Sequence, residues 1–124
     1  MKAREWCDLV LDPGWRRRFS SIVASDRLGF PGYGAQLEAA RAKTGETESV
    51  IVALGAIGGH EVVAISFEFA FLGGSMGAAT GERICRAFEL AARKRIPVVA
   101  LTASGGARMQ EGMLALAQMP ATLA

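Results

Sequence analysis

In the run "EVVAISFEFAFL", residues 61–72, Val63, Ile65, Phe67, Phe69 and Phe71 recur at every second position, which puts them on one core-facing side of a strand. The preceding run "SVIVALGAI" is also rich in β-branched residues, and Gly58, Gly59 and His60 between the two have the composition of a tight hairpin. The period then changes. Met76, Thr80, Ile84, Ala87, Phe88 and Ala91 recur at helical spacing, while Glu82, Arg83, Arg86, Arg93 and Lys94 mostly cover the other side. A helix from about Met76 to Arg95 is predicted. "IPVVALTA" reads as a buried parallel strand, and "ARMQEGMLALAQM" returns to helical spacing. The order hairpin, helix, strand, helix predicts an α/β layered architecture with parallel pairing.

Upstream, "KAREWCDLVLDPG" predicts a short helix carrying Trp6, Leu9 and Val10, ended by Asp12–Gly14. From Trp15 to Gly34 the glycines and Pro31 break any period, so a surface loop is expected. "AQLEAARAKTG" combines strong helix formers with Gly45 at a capping position and should end near Lys43.

Composition narrows the class. A chain of 124 residues with 51% hydrophobic residues can bury one modest core. Fourteen basic against twelve acidic residues leave a net charge of +2, too small and scattered for a nucleic-acid footprint, and the cluster Arg16, Arg17, Arg18 reads as a solvated turn. Cys7 and Cys85 lack any CxxC partner, so neither a zinc site nor a disulfide framework is expected, and the thiols should be free in a reducing cytoplasm. No apolar stretch approaches the roughly 20 residues of a membrane span.

Both strand-to-helix junctions are glycine-rich: Gly73, Gly74, Ser75, Met76 and Gly77 at the first, Ser104, Gly105, Gly106 and Ala107 at the second. They should open on the same edge of the sheet. Amides at a helix start are unsatisfied donors at a positive dipole end, suited to an anion or to an oxygen that gains charge during a reaction. The bland alternative is that the glycines only make tight turns. Gly-x-Ser-x-Gly at the first junction invites a nucleophilic Ser75. The sole histidine, His60, precedes Ser75 and sits at a hairpin turn, the wrong order for a hydrolase triad. No P-loop pattern is present. Glu68 interrupts an apolar strand as a buried acid or an outward-facing one, Glu111 is placed to accept from amides near the loop, and Arg108 to fix that loop or meet a phosphate.

"FLGGSMG", "ASGGARMQEG" and "LAQM", in that order and spacing, resemble the β subunit of bacterial acetyl-CoA carboxylase carboxyltransferase, in the crotonase-like carboxyltransferase family. The similarity runs from "LDPGW" to the end of the chain. It implies a ClpP/crotonase-like ββα superhelix, with residues 1–124 the first half of an acyl-CoA-binding carboxyltransferase domain. Gly105 and Gly106 match the family's oxyanion-hole pair, the catalytic candidates here. Gly73, Gly74, Ser75, Met76, Gly77, Ala107 and Arg108 become the candidates for holding the coenzyme A thioester. Without a catalytic serine in that chemistry, Ser75 is expected to cap the following helix.

The implied reaction moves a carboxyl group from carboxybiotin, carried on a biotin carboxyl carrier protein, to acetyl-CoA, giving malonyl-CoA. The ureido nitrogen takes a proton from the methyl carbon and the enolate attacks the released carbon dioxide. The implied partners are a carboxyltransferase α-type subunit and the carrier, with no tightly bound cofactor or metal in this chain, no nucleic acid and no membrane. Two alternatives stay open, a malonate decarboxylase β-type subunit and a non-catalytic assembly fragment. The family's four-cysteine zinc ribbon has no counterpart here, and Pro120 falls where the last helix should continue. A partial domain should expose Leu114, Leu116 and Met119 and associate into hetero- or homo-oligomers.

Overall fold

The β-branched density of residues 50–67 produces the hairpin. Strands β2 (Val50–Ile57) and β3 (His60–Phe67) pair antiparallel from Val50↔Phe67 to Ile57↔His60, so His60 is a strand residue and the turn is Gly58–Gly59 alone. Both glycines have positive φ, 57° and 82°, a conformation that costs other residues strain. The structure, a computed structural model, describes residues 2–24, 28–103, 106, 108 and 111.

The predicted turn of arginines is instead a strand. β1 (Arg16–Arg18) pairs antiparallel with β2, and its charged residues suit an edge position, where they discourage pairing with other chains. β4 (Val98–Leu101) runs parallel to β3, from Val63↔Val98 to Ser66↔Leu101, and completes a four-stranded sheet in the order β1-β2-β3-β4.

Among the described residues, α1 (Ala3–Val10) and α3 (Ala78–Lys94) pack on the sheet, while α2 (Tyr33–Thr44) lies against the segment that follows β3. Alternation along the strands divides their side chains between two faces. Val52, Val63 and Ile65 pack with Ile84, Ala87 and Leu90 of α3, whereas Ala53, Val62 and Ala64 meet Cys7 and Leu11 beside α1. Truncating a buried Ile or Leu in the first of these layers should cost about 2–5 kcal/mol. The alanines let α1 approach closely, and Gly55 is tighter still, since a Cβ there would lie 2.8 Å from Trp15 Cβ.

The second helix begins two residues earlier than "AQLEAARAKTG" and ends at Thr44, with Gly45 at φ 73° donating to the Arg41 carbonyl as its cap. Its buried side, Tyr33, Leu37 and Ala40, covers Phe71 and Ala79.

Two expectations about the first junction fail. β3 stops at Phe67, where the chain enters a turn closed by the Phe71 amide donating to the Glu68 carbonyl at 3.1 Å, and positive φ at Leu72, Gly73 and Gly74 then carries it further from the strand direction. Phe69 is therefore 60% exposed, and Phe71, although fully buried, belongs to the α2 cluster. The third helix starts at Ala78 instead of Met76, because the backbone of Met76 bonds to the second junction. The helix expected over residues 107–119, with Leu114, Leu116, Met119 and Pro120, lies outside the described residues except for Arg108 and Glu111.

Candidate active site: two glycine junctions joined at one edge

Parallel pairing of β3 and β4 brings the chain out at the same end of both strands, and the segments that follow them meet, as expected. The Met76 amide donates to the Gly106 carbonyl at 2.6 Å, and the Arg108 amide donates to the Met76 carbonyl at 2.8 Å. Gly106 has φ 98°, the left-handed region that favours glycine. Gly105 and Ala107 lie outside the described residues.

At the first junction the backbone donors serve the fold. Gly74 donates to Phe71 at 2.9 Å and Ser75 to Leu72 at 3.2 Å, each to a carbonyl of the tight turn. Gly73 lines a surface pocket of ≈ 630 Å³ together with Lys2, Lys43, Glu68 and Phe69. Gly77 is hemmed in, for a Cβ there would lie 2.5 Å from Glu111 Oε2 and 2.8 Å from Arg108 Nη1.

Beneath the junctions lies a buried charge cluster. The buried Arg108 guanidinium donates from Nε to Ser75 Oγ at 3.1 Å and from Nη2 to the Ser75 carbonyl at 2.8 Å. It forms a forked ion pair with Glu48, with Nη1 3.0 Å from Oε2 and Nη2 on Oε1. Nη1 also reaches Glu111 Oε2 at 3.3 Å and the Tyr33 hydroxyl at 3.2 Å, while the guanidinium lies 5.7 Å from the Phe71 ring centre. The Tyr33 hydroxyl in turn donates to Glu111 Oε2. Glu111 Oε1 accepts from the Ala78 amide at 2.6 Å, the expected amide acceptor and the actual cap of α3.

Ser75 is thus not the cap. Its hydroxyl faces the Arg108 guanidinium, and His60, the sole histidine, is exposed at the far end of β3. Among the described residues, Ser75 Oγ meets a guanidinium and not a base that could make it a nucleophile. Glu68 is buried and accepts from the Ala3 amide at 3.2 Å, which ties the start of α1 to the end of β3.

Charges this deep must compensate one another. Glu48 and Glu111 face Arg108, and Arg83, also buried, donates to the carbonyls of Val50, Ile22 and Ser20 and to Thr47 Oγ1. Burial pulls Arg83 below the ordinary arginine range, with Glu48 opposing it. For Arg108 burial acts the same way, but its hydrogen bond and charge pairing with Glu48 more than offset it and hold the group above its usual value. Burial, then the hydrogen bond to Glu111, pushes the Tyr33 phenol well above its ordinary 10.0. Tyr33 and Glu48 carry little sequence signal. An acid just ahead of an apolar strand and a tyrosine among glycines are both common on surfaces.

A model of the carboxyl transferase domain matches residues 15–123. The chain belongs to the carboxyl transferase domain family. It is 45% identical over 125 aligned positions to the acetyl-coenzyme A carboxylase carboxyl transferase subunit beta of Desulforudis audaxviator, covering 100% of this chain and 46% of the relative. The subunit of the same description from Rubrobacter xylanophilus is 43% identical, with 98% and 48% covered. This carboxyl transferase chain therefore spans about half the length of the curated relatives it matches. Among solved structures, a transcarboxylase 12S core with hydrolysed methylmalonyl-coenzyme A bound superposes with a TM-score of 0.81 at 26% identity, over 98% of this chain and 22% of that one. A Pseudomonas malonate decarboxylase hetero-dimer superposes with a TM-score of 0.67 at 30% identity, over 98% and 44%. The fold is that of the crotonase-like carboxyltransferases. No helix among the described residues is long and apolar enough to cross a membrane.

Proposed function

We propose that this chain is the acyl-CoA-binding part of an acetyl-CoA carboxylase carboxyltransferase, working with an α-type subunit and a biotin carboxyl carrier protein in the cytoplasm. Carboxybiotin is the donor, acetyl-CoA the acceptor and malonyl-CoA the product. The observation that carries this reading is the joining of the two glycine junctions through Met76, Gly106 and Arg108, in a chain matched to the carboxyl transferase domain over residues 15–123.

The amides of Gly105 and Gly106 act as donors to the thioester oxygen. When the methyl proton leaves, negative charge moves onto that oxygen, and donors fixed beforehand stabilise it without reorganising; one such donor is worth about 3 kcal/mol in other oxyanion holes. Gly73 and Ala107 border the thioester chain, and Ser75, Met76, Gly77 and Arg108 hold the shape of the site from behind. Decarboxylation of a malonyl thioester would use the same oxyanion chemistry, and the 30% identity to the malonate decarboxylase chain favours keeping it as the second reading.

Calorimetric titration of acetyl-CoA, with and without an α-type partner, tests the proposal. Binding that requires the partner, or occurs without it, and is lost in a folded Gly106→Val variant, supports it. Absence of binding in both settings, or binding untouched by Gly106→Val, overturns it.

A further inference from the structure

Gly106 is tied to the first junction. Its carbonyl accepts from Met76, and two residues on, the Arg108 amide donates back to Met76, so the second junction is clasped around one residue of the first. What keeps that clasp closed lies elsewhere in the chain. Arg108 is braced by Glu48, which lies 60 residues upstream and whose Oε1 also accepts from the Ser49 amide at 2.7 Å. Ser49 Oγ extends the brace by donating to the Ser75 carbonyl at 2.8 Å and meeting Thr80 Oγ1 at 3.0 Å. Glu111 is braced by Tyr33, 78 residues upstream on α2. Neither Tyr33 nor Glu48 is exposed, both being at 0%.

We propose that Tyr33 and Glu48 are positioning residues for Gly106: acting through Glu111 and Arg108, they fix the placement of the Gly106 backbone against Met76. The inference rests on the reading of Gly105 and Gly106 as oxyanion donors. Its physical basis is that a forked guanidinium–carboxylate pair and a buried phenol–carboxylate bond each have one geometry, whereas water or a flexible partner would allow many. An oxyanion donor displaced by a fraction of an ångström loses much of its value. The sheet supplies the coarse placement of the junction and the buried cluster the fine one.

The test is amide hydrogen exchange and amide chemical shifts, read by NMR on the full chain for wild type, Tyr33→Phe, Glu48→Gln and, as a control, Asp12→Ala at the opposite end of the sheet. Tyr33→Phe and Glu48→Gln should each shift the Gly105 and Gly106 resonances and speed exchange at Met76 and Arg108 by about tenfold, the equivalent of one hydrogen bond. The control should leave those signals in place even where it lowers global stability as much. Unchanged glycine resonances in both variants, or equal changes in the control, overturn the proposal. The readout does not depend on turnover, so failure of the acyl-CoA reading shows separately, as wild-type chain that does not bind acetyl-CoA with or without the partner.

Discussion

Arg108 and Glu48 form a fully buried ion pair across 60 residues of sequence, with Nη1 3.0 Å from Oε2 and both side chains at 0% exposure. The guanidinium fork meets the carboxylate with two donors, and it also donates to Ser75, Tyr33 and Glu111. Removing one partner of such a pair strands the other charge in the interior. Arg108→Met should therefore lower stability by about 3–5 kcal/mol, leaving Glu48 and Glu111 without their cation. Urea denaturation followed by circular dichroism reads this. A loss below about 1 kcal/mol would place the pair in the class of exposed ion pairs and refute its buried role.

Tyr33 gives the protein an alkaline limit. Its folded pKa is raised above the ordinary 10.0 by burial first and by the Glu111 hydrogen bond second. A raised pKa means that the unfolded chain loses this proton at lower pH than the folded one, so the contribution is complete below pH 10.0 and declines as the pH rises beyond it. Wild type should lose midpoint stability above that pH, and Tyr33→Phe should show a flatter decline from a lower starting value. Thermal melts between pH 8 and 11 would show parallel curves for the two proteins if the phenol were not the group responsible.

Ser75→Ala separates the structural serine from a nucleophilic one. The hydroxyl accepts from Arg108 Nε at 3.1 Å, so its loss should cost about 1–3 kcal/mol, as expected when a buried donor loses its partner. Acetyl-CoA binding and any carboxyl transfer with the partner subunits should survive. Transfer falling by a factor of a thousand or more in a folded Ser75→Ala protein would restore the nucleophile reading.

Much of this architecture is legible in the sequence, and the misses have physical causes. The hairpin and the Gly45 cap follow from periodicity and turn chemistry, which are local, and the meeting of the two glycine junctions follows from the parallel pairing that a strand–helix–strand order implies. Phe69 and Phe71 continue the strand's alternation into a turn, closed by the Phe71 amide donating to the Glu68 carbonyl, and a two-residue period cannot register that change. Arg16–Arg18 looks like a solvated turn until β2 offers its edge. Tyr33, Glu48 and the pair Arg108 and Glu111 come from three separate segments. Their meeting is a property of the tertiary fold, visible in sequence only as Glu111 and Arg108 standing close behind the second junction.

Gly77→Ala tests how tightly the cluster is packed. An added Cβ would come within 2.5 Å of Glu111 Oε2 and 2.8 Å of Arg108 Nη1. Both are side-chain ends, but each is pinned by other partners, so neither can yield without giving up hydrogen bonds. A loss of about 1–3 kcal/mol is expected, the usual range for forcing atoms into a packed interior. Because φ at Gly77 is −102°, the cost is steric contact and not backbone strain. A neutral substitution would mean that Glu111 can leave the α3 terminus freely, and exchange at the Ala78 amide would then rise.

Asp12 closes the opposite end of the hairpin. Its carboxylate accepts from the Gly58 amide at 3.1 Å and the Gly59 amide at 2.8 Å, and its own amide donates to the Ala56 carbonyl at 2.7 Å. Positive φ at both glycines points successive amides the same way, and one carboxylate can then satisfy them together. The bonds are exposed, so Asp12→Ala should cost about 1 kcal/mol and act by loosening the β2–β3 turn. Asp12→Asn, which keeps one acceptor oxygen, should recover part of that loss. Exchange should quicken at Gly58 and Gly59 while Met76 and Arg108 keep wild-type protection. If the effect instead spread evenly to the glycine junctions, the two ends of the sheet would open as one unit, and a separate fine adjustment of the junctions would have no structural basis.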